Sequence, residues 1–98
     1  MNPQIVRAIH ERRRLQLRYG WGIRWVEPHA YGVTAEGHEV LRCYQIGGTS
    51  SSGRPVGWKL LRVDEITSLN VEEDTFPRPR FDYDPADPAM TRQIFAQL

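Results

Sequence analysis

The chain has 98 residues, of which 40% are apolar and 26% charged, and its formal net charge is +1. This composition fits one globular domain with a modest core, since domains run to roughly 100–150 residues, and it excludes disorder of the whole chain. No apolar run is long enough to cross a membrane, no signal-peptide pattern opens the chain and the single cysteine forms no internal disulfide, so we expect one cytoplasmic domain over residues 1–98.

The chain begins with a predicted helix and a predicted strand. Asn2 is a suitable N-cap, and Pro3 suits the first helical turn, where its missing N–H needs no partner. Apolar residues at helical spacing follow, and the helix is expected to end near residues 11–13. Apolar and polar residues then alternate over residues 14–19, which predicts a half-buried strand.

Four more strands are predicted between turns that are rich in glycine, serine and charged residues. Their approximate ranges are residues 23–33, 39–46, 57–62 and 66–71. Pro28 lies inside the first of these and requires an edge, a bulge or a bend there. The loop over residues 47–55 lacks the Lys-Ser/Thr pair and the following helix of a P-loop, so an ordinary hairpin loop is predicted.

The C-terminal third is predicted to leave the sheet. Two prolines make residues 76–81 an extended segment. Asp87 and Pro88 repeat the cap-plus-proline signal of the N-terminus, and apolar residues recur at helical spacing after them. We therefore predict a C-terminal helix over about residues 88–97.

Five short strands in succession predict a mainly β domain. A meander that closes into a small five-stranded barrel over about residues 14–71 leaves no exposed strand edge. The N-terminal and C-terminal helices are expected at the ends of this barrel. Helices and strands do not alternate, which argues against a parallel sheet.

Charge is distributed unevenly along the chain. Residues 1–62 carry ten Lys or Arg against four Glu, whereas residues 63–98 carry three Arg against eight acidic residues. A basic region attracts phosphates and carboxylates. Mutual neutralisation of the two parts in the folded protein is the alternative.

Five segments of the chain, taken in order, resemble WYL domains. They are residues 5–19 (I-x3-I-x5-L-x-L-x-Y), 26–30 (VEPHA), 40–44 (VLRCY), 60–66 (LLRVDEI) and 76–77 (FP). The fourth segment is similar to the family's F-R-L-D-R-I signature, with Glu65 at its second basic position. Glu39-Val40-Leu41 stands where that family has its name-giving W-Y-L tripeptide.

The resemblance implies an Sm-like five-stranded barrel and a stand-alone WYL domain. WYL domains usually follow a helix-turn-helix segment in bacterial transcription regulators, and some accompany phage-defence systems. The resemblance therefore implies a regulatory module that senses nucleic acid or a nucleotide-like anion through basic residues of its surface.

Candidate ligand-binding residues lie on several predicted strands. Arg62, in the signature segment, alternates with core residues, so its guanidinium is expected to face solvent and to bind a phosphate bidentately. Arg42 and Tyr44 share one face of their strand, an arginine–aromatic pairing that suits single-stranded nucleic acid. The remaining candidates are Arg24, Lys59, His29, Tyr19 and Arg18.

Each leading candidate also has a purely structural interpretation. Arg62 can form a salt bridge with Asp64 or Glu27, Arg42 and Tyr44 can form a solvated cross-strand pair, and His29 can be a buried structural residue.

Two functions of different classes follow from these features. Basic residues interleaved with aromatic ones favour a module that binds nucleic acid or a nucleotide-like anion. The acidic C-terminal third favours a protein-interaction or homodimerisation module, paired through an edge strand or through residues 76–81 and the last helix. No serine, cysteine or carboxylate has the context of a catalytic or metal site, so we expect no enzyme activity, metal or cofactor.

Overall fold

The computed structural model describes all 98 residues, and the protein is mainly β. Its regular elements, in chain order, are helix α1 (Pro3–His10) and strands β1 (Arg13–Tyr19), β2 (Gly22–Val33), β3 (Glu39–Gly48), β4 (Gly57–Arg62), β5 (Ile66–Thr75) and β6 (Gln93–Gln97). A single 3-10 turn, Val63–Glu65, joins β4 to β5. No helix has the length and apolar character needed to span a membrane.

Helix α1 forms where its capping residues predict it. The Asn2 side chain accepts a hydrogen bond from the Gln4 amide at 2.9 Å, and Pro3 occupies the first turn. The helix buries Ile5 and Ile9 against the sheet. Tyr31 of β2 fixes the start of the helix, because its hydroxyl accepts from the Asn2 amide at 2.7 Å.

The sheet is antiparallel, with strand order β4-β3-β2-β1-β5 and β6 paired to β2. The five predicted strands are therefore present, and β1 to β4 are adjacent as in a meander, whereas β5 pairs with β1. No ladder joins β4 to β5, so the sheet is not closed and a closed barrel is not confirmed. A register shift between Pro28 and Ala30 bends β2, which confirms the irregularity expected at this proline.

The predicted C-terminal helix over residues 88–97 is wrong. The Asp87 side chain does accept from the Ala89 amide at 2.9 Å, as a helix cap would, but no helix follows. Residues Gln93–Gln97 instead form β6, which pairs with the far half of β2, beyond the part that pairs with β1. Pairing with this open edge satisfies the backbone groups and buries Ala96, and this outweighs the local helical spacing.

Two apolar clusters lie on opposite faces of the sheet. The larger, on what we call the inner face, joins α1 to β1, β2, β3 and β4 through residues such as Ile9, Leu17 and Leu41. The smaller contains Ala30, Val40 and Met90 on the outer face. Residues 76–90, which we call the strap, run across that outer face without regular structure.

Candidate functional site

The predicted site residues divide between the two faces of the sheet. Arg42 and Tyr44 lie on the outer face of β3, where Tyr44 is opposite Trp58 of β4. Lys59 lies on the inner face, opposite the buried Cys43. Arg24 is opposite Leu17 of β1 and also points inward, whereas Arg18 is exposed on the outer face. The structure therefore does not bring all eight candidates into one site.

The strap covers Arg42 with a carboxylate. Arg42 donates to both oxygens of Asp87, at 2.7 and 3.2 Å, and only 5% of the Asp87 side chain is exposed. The hydrogen bond from Arg42 holds the pKa of Asp87 below its usual value, against the opposing effect of burial. Arg42 is therefore neutralised by an acidic residue of the C-terminal part, as expected if residues 1–62 and 63–98 balance each other's charge.

Tyr44 is covered by another strap residue. The Arg80 guanidinium lies over the Tyr44 ring at 4.1 Å from its centroid, and the Trp58 ring packs edge-on against Tyr44 at 5.5 Å. Arg80 also donates to both carboxylate oxygens of Glu27, at 2.9 and 3.2 Å. Arg14 donates to the same buried carboxylate at 3.1 Å. Glu27 is therefore balanced by two arginines.

His29 is fully buried beneath the strap. Its Nδ1 lies 2.8 Å from the Glu27 carbonyl oxygen, and its Nε2 accepts from the Arg80 amide at 3.1 Å. These partners require a neutral ring with the proton on Nδ1. Burial lowers the pKa of His29, which favours the same neutral form. Its ring packs against Phe76 and Tyr83, so His29 has the structural role that was the alternative interpretation.

Arg62 forms the salt bridge that the sequence offered as its alternative. Its guanidinium donates to both oxygens of Asp64, at 3.2 and 2.6 Å, and lies 3.8 Å from Glu65. The hydrogen bond with Asp64 raises the pKa of Arg62 above its ordinary value. Its backbone amide donates to the Tyr19 hydroxyl at 3.1 Å, which assigns Tyr19 a partner within the fold.

A different environment surrounds Lys59, at the end of the sheet near residues 49–56. Its ammonium donates to the Ser50 hydroxyl at 3.0 Å, the Ser52 hydroxyl at 3.3 Å and the Arg54 carbonyl oxygen at 2.6 Å. All three acceptors are neutral. We call the open groove beside it the basic groove; its lining residues are Ser52, Arg54, Val56, Gly57, Trp58 and Lys59.

Arg24 is buried next to this loop, and it also has only neutral partners. Its Nη1 donates to the Gln45 side-chain oxygen at 3.2 Å, and its guanidinium carbon lies 5.0 Å from the Tyr19 ring centroid. Gln45 in turn donates to the Thr49 carbonyl oxygen at 2.7 Å. The nine ion pairs of the chain include none of Arg24, Arg54 and Lys59.

Cys43 has no nucleophilic character in this position. It is completely buried, and burial raises the pKa of its thiol to about 12. No group of histidine, cysteine and carboxylate side chains is arranged to hold a metal ion.

Sequence patterns did not predict the roles of several residues in these two regions. Asp87, Arg80 and Glu27 neutralise or cover the outer-face candidates. The sequence indicated Asp87 only as a helix cap and Glu27 only as an alternative partner of Arg62, and the excess of acidic residues over 63–98 was the one general signal of charge pairing. Arg54 was not among the sequence candidates, although Arg54 and Pro55 stand where a P-loop has its Lys-Ser/Thr pair. Residue spacing alone does not reveal that the loop brings Arg54 next to Lys59, whose ammonium donates to the Arg54 carbonyl oxygen.

Comparison with known proteins adds no relative: no family model, no curated protein and no solved structure matches the chain. The WYL resemblance therefore stays a prediction.

Proposed function

We propose that this protein binds a phosphate-bearing ligand, a nucleotide or single-stranded nucleic acid, in the basic groove. One observation carries the proposal: the groove contains two cations, Arg54 and Lys59, and no carboxylate among its lining residues. The other prominent arginines of the sheet, Arg42 and Arg62, are each paired with an aspartate.

The groove also offers an aromatic surface. Trp58 lines it and is held by packing against the rings of His29 and Tyr44. A fixed indole and two cations along one groove at the edge strand β4 match the combination of stacking and phosphate neutralisation that proteins use for single strands. The hydroxyls of Ser50 and Ser52 add donors that a phosphate oxygen can accept from.

Lys59 gives the proposed binding its specific chemistry. In the free protein its ammonium holds three neutral oxygens of the loop. A phosphate is a stronger acceptor for an ammonium than a hydroxyl or a carbonyl, because its negative charge adds an attraction between opposite charges to the hydrogen bond. Ligand binding therefore exchanges loop contacts of Lys59 for a phosphate contact. The WYL resemblance implies a role for such a module in bacterial transcription regulation or phage defence.

The test is fluorescence anisotropy of a labelled short single strand, titrated at several salt concentrations, with a mononucleotide as competitor. Lys59→Met is expected to reduce the slope of log affinity against log salt by about 0.7, the value for one phosphate contact with a single strand. Trp58→Leu is expected to weaken binding by about 1–3 kcal/mol through lost stacking while it leaves the salt slope unchanged.

The matched control is Arg78→Met, which removes one exposed positive charge from the strap. It is expected to keep both affinity and slope, so that a general effect of net charge is separated from a contact in the groove. Absence of saturable binding at low salt, or equal losses in Arg78→Met and Lys59→Met, contradicts the proposal.

A protein-interaction module is the second candidate function. The open sheet leaves one long edge of β4 and one of β5 without a partner strand, and such edges accept added strands. A concentration-dependent molar mass in light scattering supports homodimerisation, and a constant monomer mass counts against it.

A further inference from the structure

A cavity of about 170 Å³ lies between the strap and the outer face of the sheet. One of its walls is aromatic, with Trp58 and Tyr83, and the other is polar, with Arg42 and the carboxylates of Asp82, Asp84 and Asp87. Trp58 also lines the basic groove, so the cavity and the groove share this side chain. Because β4 is an edge strand of the sheet, a ligand that lies along this edge can reach both.

The aromatic wall is fixed by packing. The Trp58 and Tyr83 rings lie 6.1 Å apart between their centroids, with 28° between their planes. Both rings also pack against the buried His29 ring, at centroid distances of 4.7 and 5.1 Å. Fixed aromatic rings beside an open cavity are the surfaces on which proteins stack unpaired nucleic-acid bases.

The polar wall has hydrogen-bond acceptors to spare. Arg42 neutralises Asp87, but the nine ion pairs of the chain include neither Asp82 nor Asp84. Asp84 accepts one hydrogen bond, from the Ala86 amide at 2.9 Å. An ionised carboxylate accepts up to about four hydrogen bonds and donates none. The cavity therefore suits a neutral group with N–H donors, and its three aspartates against one arginine repel a phosphate.

We propose that this cavity receives one base of the ligand, while the phosphates stay in the basic groove, and that it selects guanine. The proposal rests on the function proposed above and specifies which base that site prefers. The Watson–Crick edge of guanine has two adjacent N–H donors, which fit the two oxygens of one carboxylate. Adenine and cytosine present one donor beside an acceptor, and uracil presents its donor between two carbonyl oxygens, which a carboxylate repels.

Two parts of the cavity make separate contributions to binding. Every base has a face that can stack, so Trp58 and Tyr83 add affinity without selecting a base. Either Asp82 or Asp84 can supply the selecting carboxylate, because both line the cavity and both are exposed. Base preference and overall affinity can therefore be measured independently.

The experiment uses the full chain and labelled uridine-rich strands that differ only in one central base, titrated by fluorescence anisotropy at fixed salt. The strand with a central guanine is expected to bind about tenfold more tightly than the strand with uracil, since a bidentate contact discriminates between bases on this scale. Inosine lacks the exocyclic amino group of guanine and keeps only one of its two donors. A strand with central inosine should therefore bind with intermediate affinity.

The double variant Asp82→Asn/Asp84→Asn removes both carboxylates, and its affinities for the guanine and uracil strands should become equal. It is expected to keep its affinity for the uracil strand, because the cations of the groove are unchanged. The matched control is Glu36→Gln/Glu73→Gln, which changes the net charge by the same amount at two exposed carboxylates outside the cavity. This control should keep the tenfold preference for guanine.

Two results overturn the base site: equal affinity of the wild-type protein for the guanine and uracil strands, or a guanine preference that the double variant retains. In both cases, salt-dependent binding of the uracil strand still supports the groove. Absence of saturable binding of any strand at low salt contradicts the groove and the base site together. A preference that is present in the wild type and the control but lost in the double variant supports both.

Discussion

The outer face under the strap and the loop end of the sheet both hold charged residues, but they treat charge in opposite ways. Under the strap, Arg42 and Glu27 have partners of opposite charge within hydrogen-bond distance. At the loop end, Arg24 and Lys59 have only amide, hydroxyl and carbonyl partners. Charges that are balanced within the chain stabilise the fold, whereas cations without a carboxylate partner can still bind a negatively charged ligand.

The largest expected effect is on the stability of the strap face. Glu27→Gln keeps the side-chain shape but removes the charge that balances Arg14 and Arg80. We expect a loss of about 2–3 kcal/mol in the free energy of unfolding. This is small for a broken buried ion pair, because both arginine side chains are partly exposed to water. Urea denaturation measures it.

Glu65→Gln serves as the control for this change, since Glu65 is an exposed carboxylate near Arg62. Exposed ion pairs contribute little to stability. A loss in Glu27→Gln no greater than that in Glu65→Gln would show that the strap face does not depend on balanced charge.

The second prediction concerns acid pH. Burial lowers the pKa of His29 in the folded state, so the unfolded chain takes up a proton first as the pH falls. The stability from neutral His29 is complete above the unfolded pKa of about 6.5, and it is lost as pH falls towards the folded value. Protonation would also place an N–H of His29 against the Arg80 amide, which now donates to it.

Urea unfolding between pH 7.5 and 5 tests this, with a slope of at most about 1.4 kcal/mol per pH unit for one proton. His29→Gln, which has no proton to gain in this range, should give a flatter profile. The same slope in His29→Gln as in wild type would assign the pH effect to another group. The lowered pKa of Asp87 acts at more acid pH and does not interfere.

The third prediction compares Arg24 with Glu27 directly. Arg24→Met removes a buried charge that has no carboxylate partner, so its unfolding free energy should equal or exceed that of wild type, by about 1 kcal/mol at most. Urea denaturation measures this. A loss as large as that in Glu27→Gln would mean that Gln45 and the Tyr19 ring already compensate the charge.

Much of the fold follows from local sequence patterns. Alternation of apolar and polar residues predicts β1 to β5, because it indicates which face of each strand is buried. Asn2 and Pro3 predict the start of α1, because they suit the cap and the first turn of a helix. Strand β6 could not be predicted this way. Its conformation depends on the length of β2, which continues beyond the end of its ladder with β1 and leaves a strand edge that only a distant segment can fill.

The candidate site was less predictable, for a related reason. Alternation indicates that Arg42 and Tyr44 point away from the core, but it does not reveal that the strap returns to cover them. The pairing of acidic and basic parts of the chain was foreseen only as an alternative. Which cations stay without a carboxylate depends on contacts over long sequence separations, such as that between Arg42 and Asp87.

The smallest expected effect tests the residue that the WYL resemblance places first. Arg62→Ala removes a guanidinium that is 41% exposed and already bound to Asp64, so we expect no measurable change in stability or in binding of the labelled strand. Asp64→Asn in the same assay frees Arg62 without removing it. If Arg62→Ala weakens binding as Lys59→Met does, and Asp64→Asn strengthens it, then the ligand competes with Asp64 for Arg62. The rule that paired charges serve only the fold would then fail at this position, and the ligand surface would extend from the loop end to the end of β4.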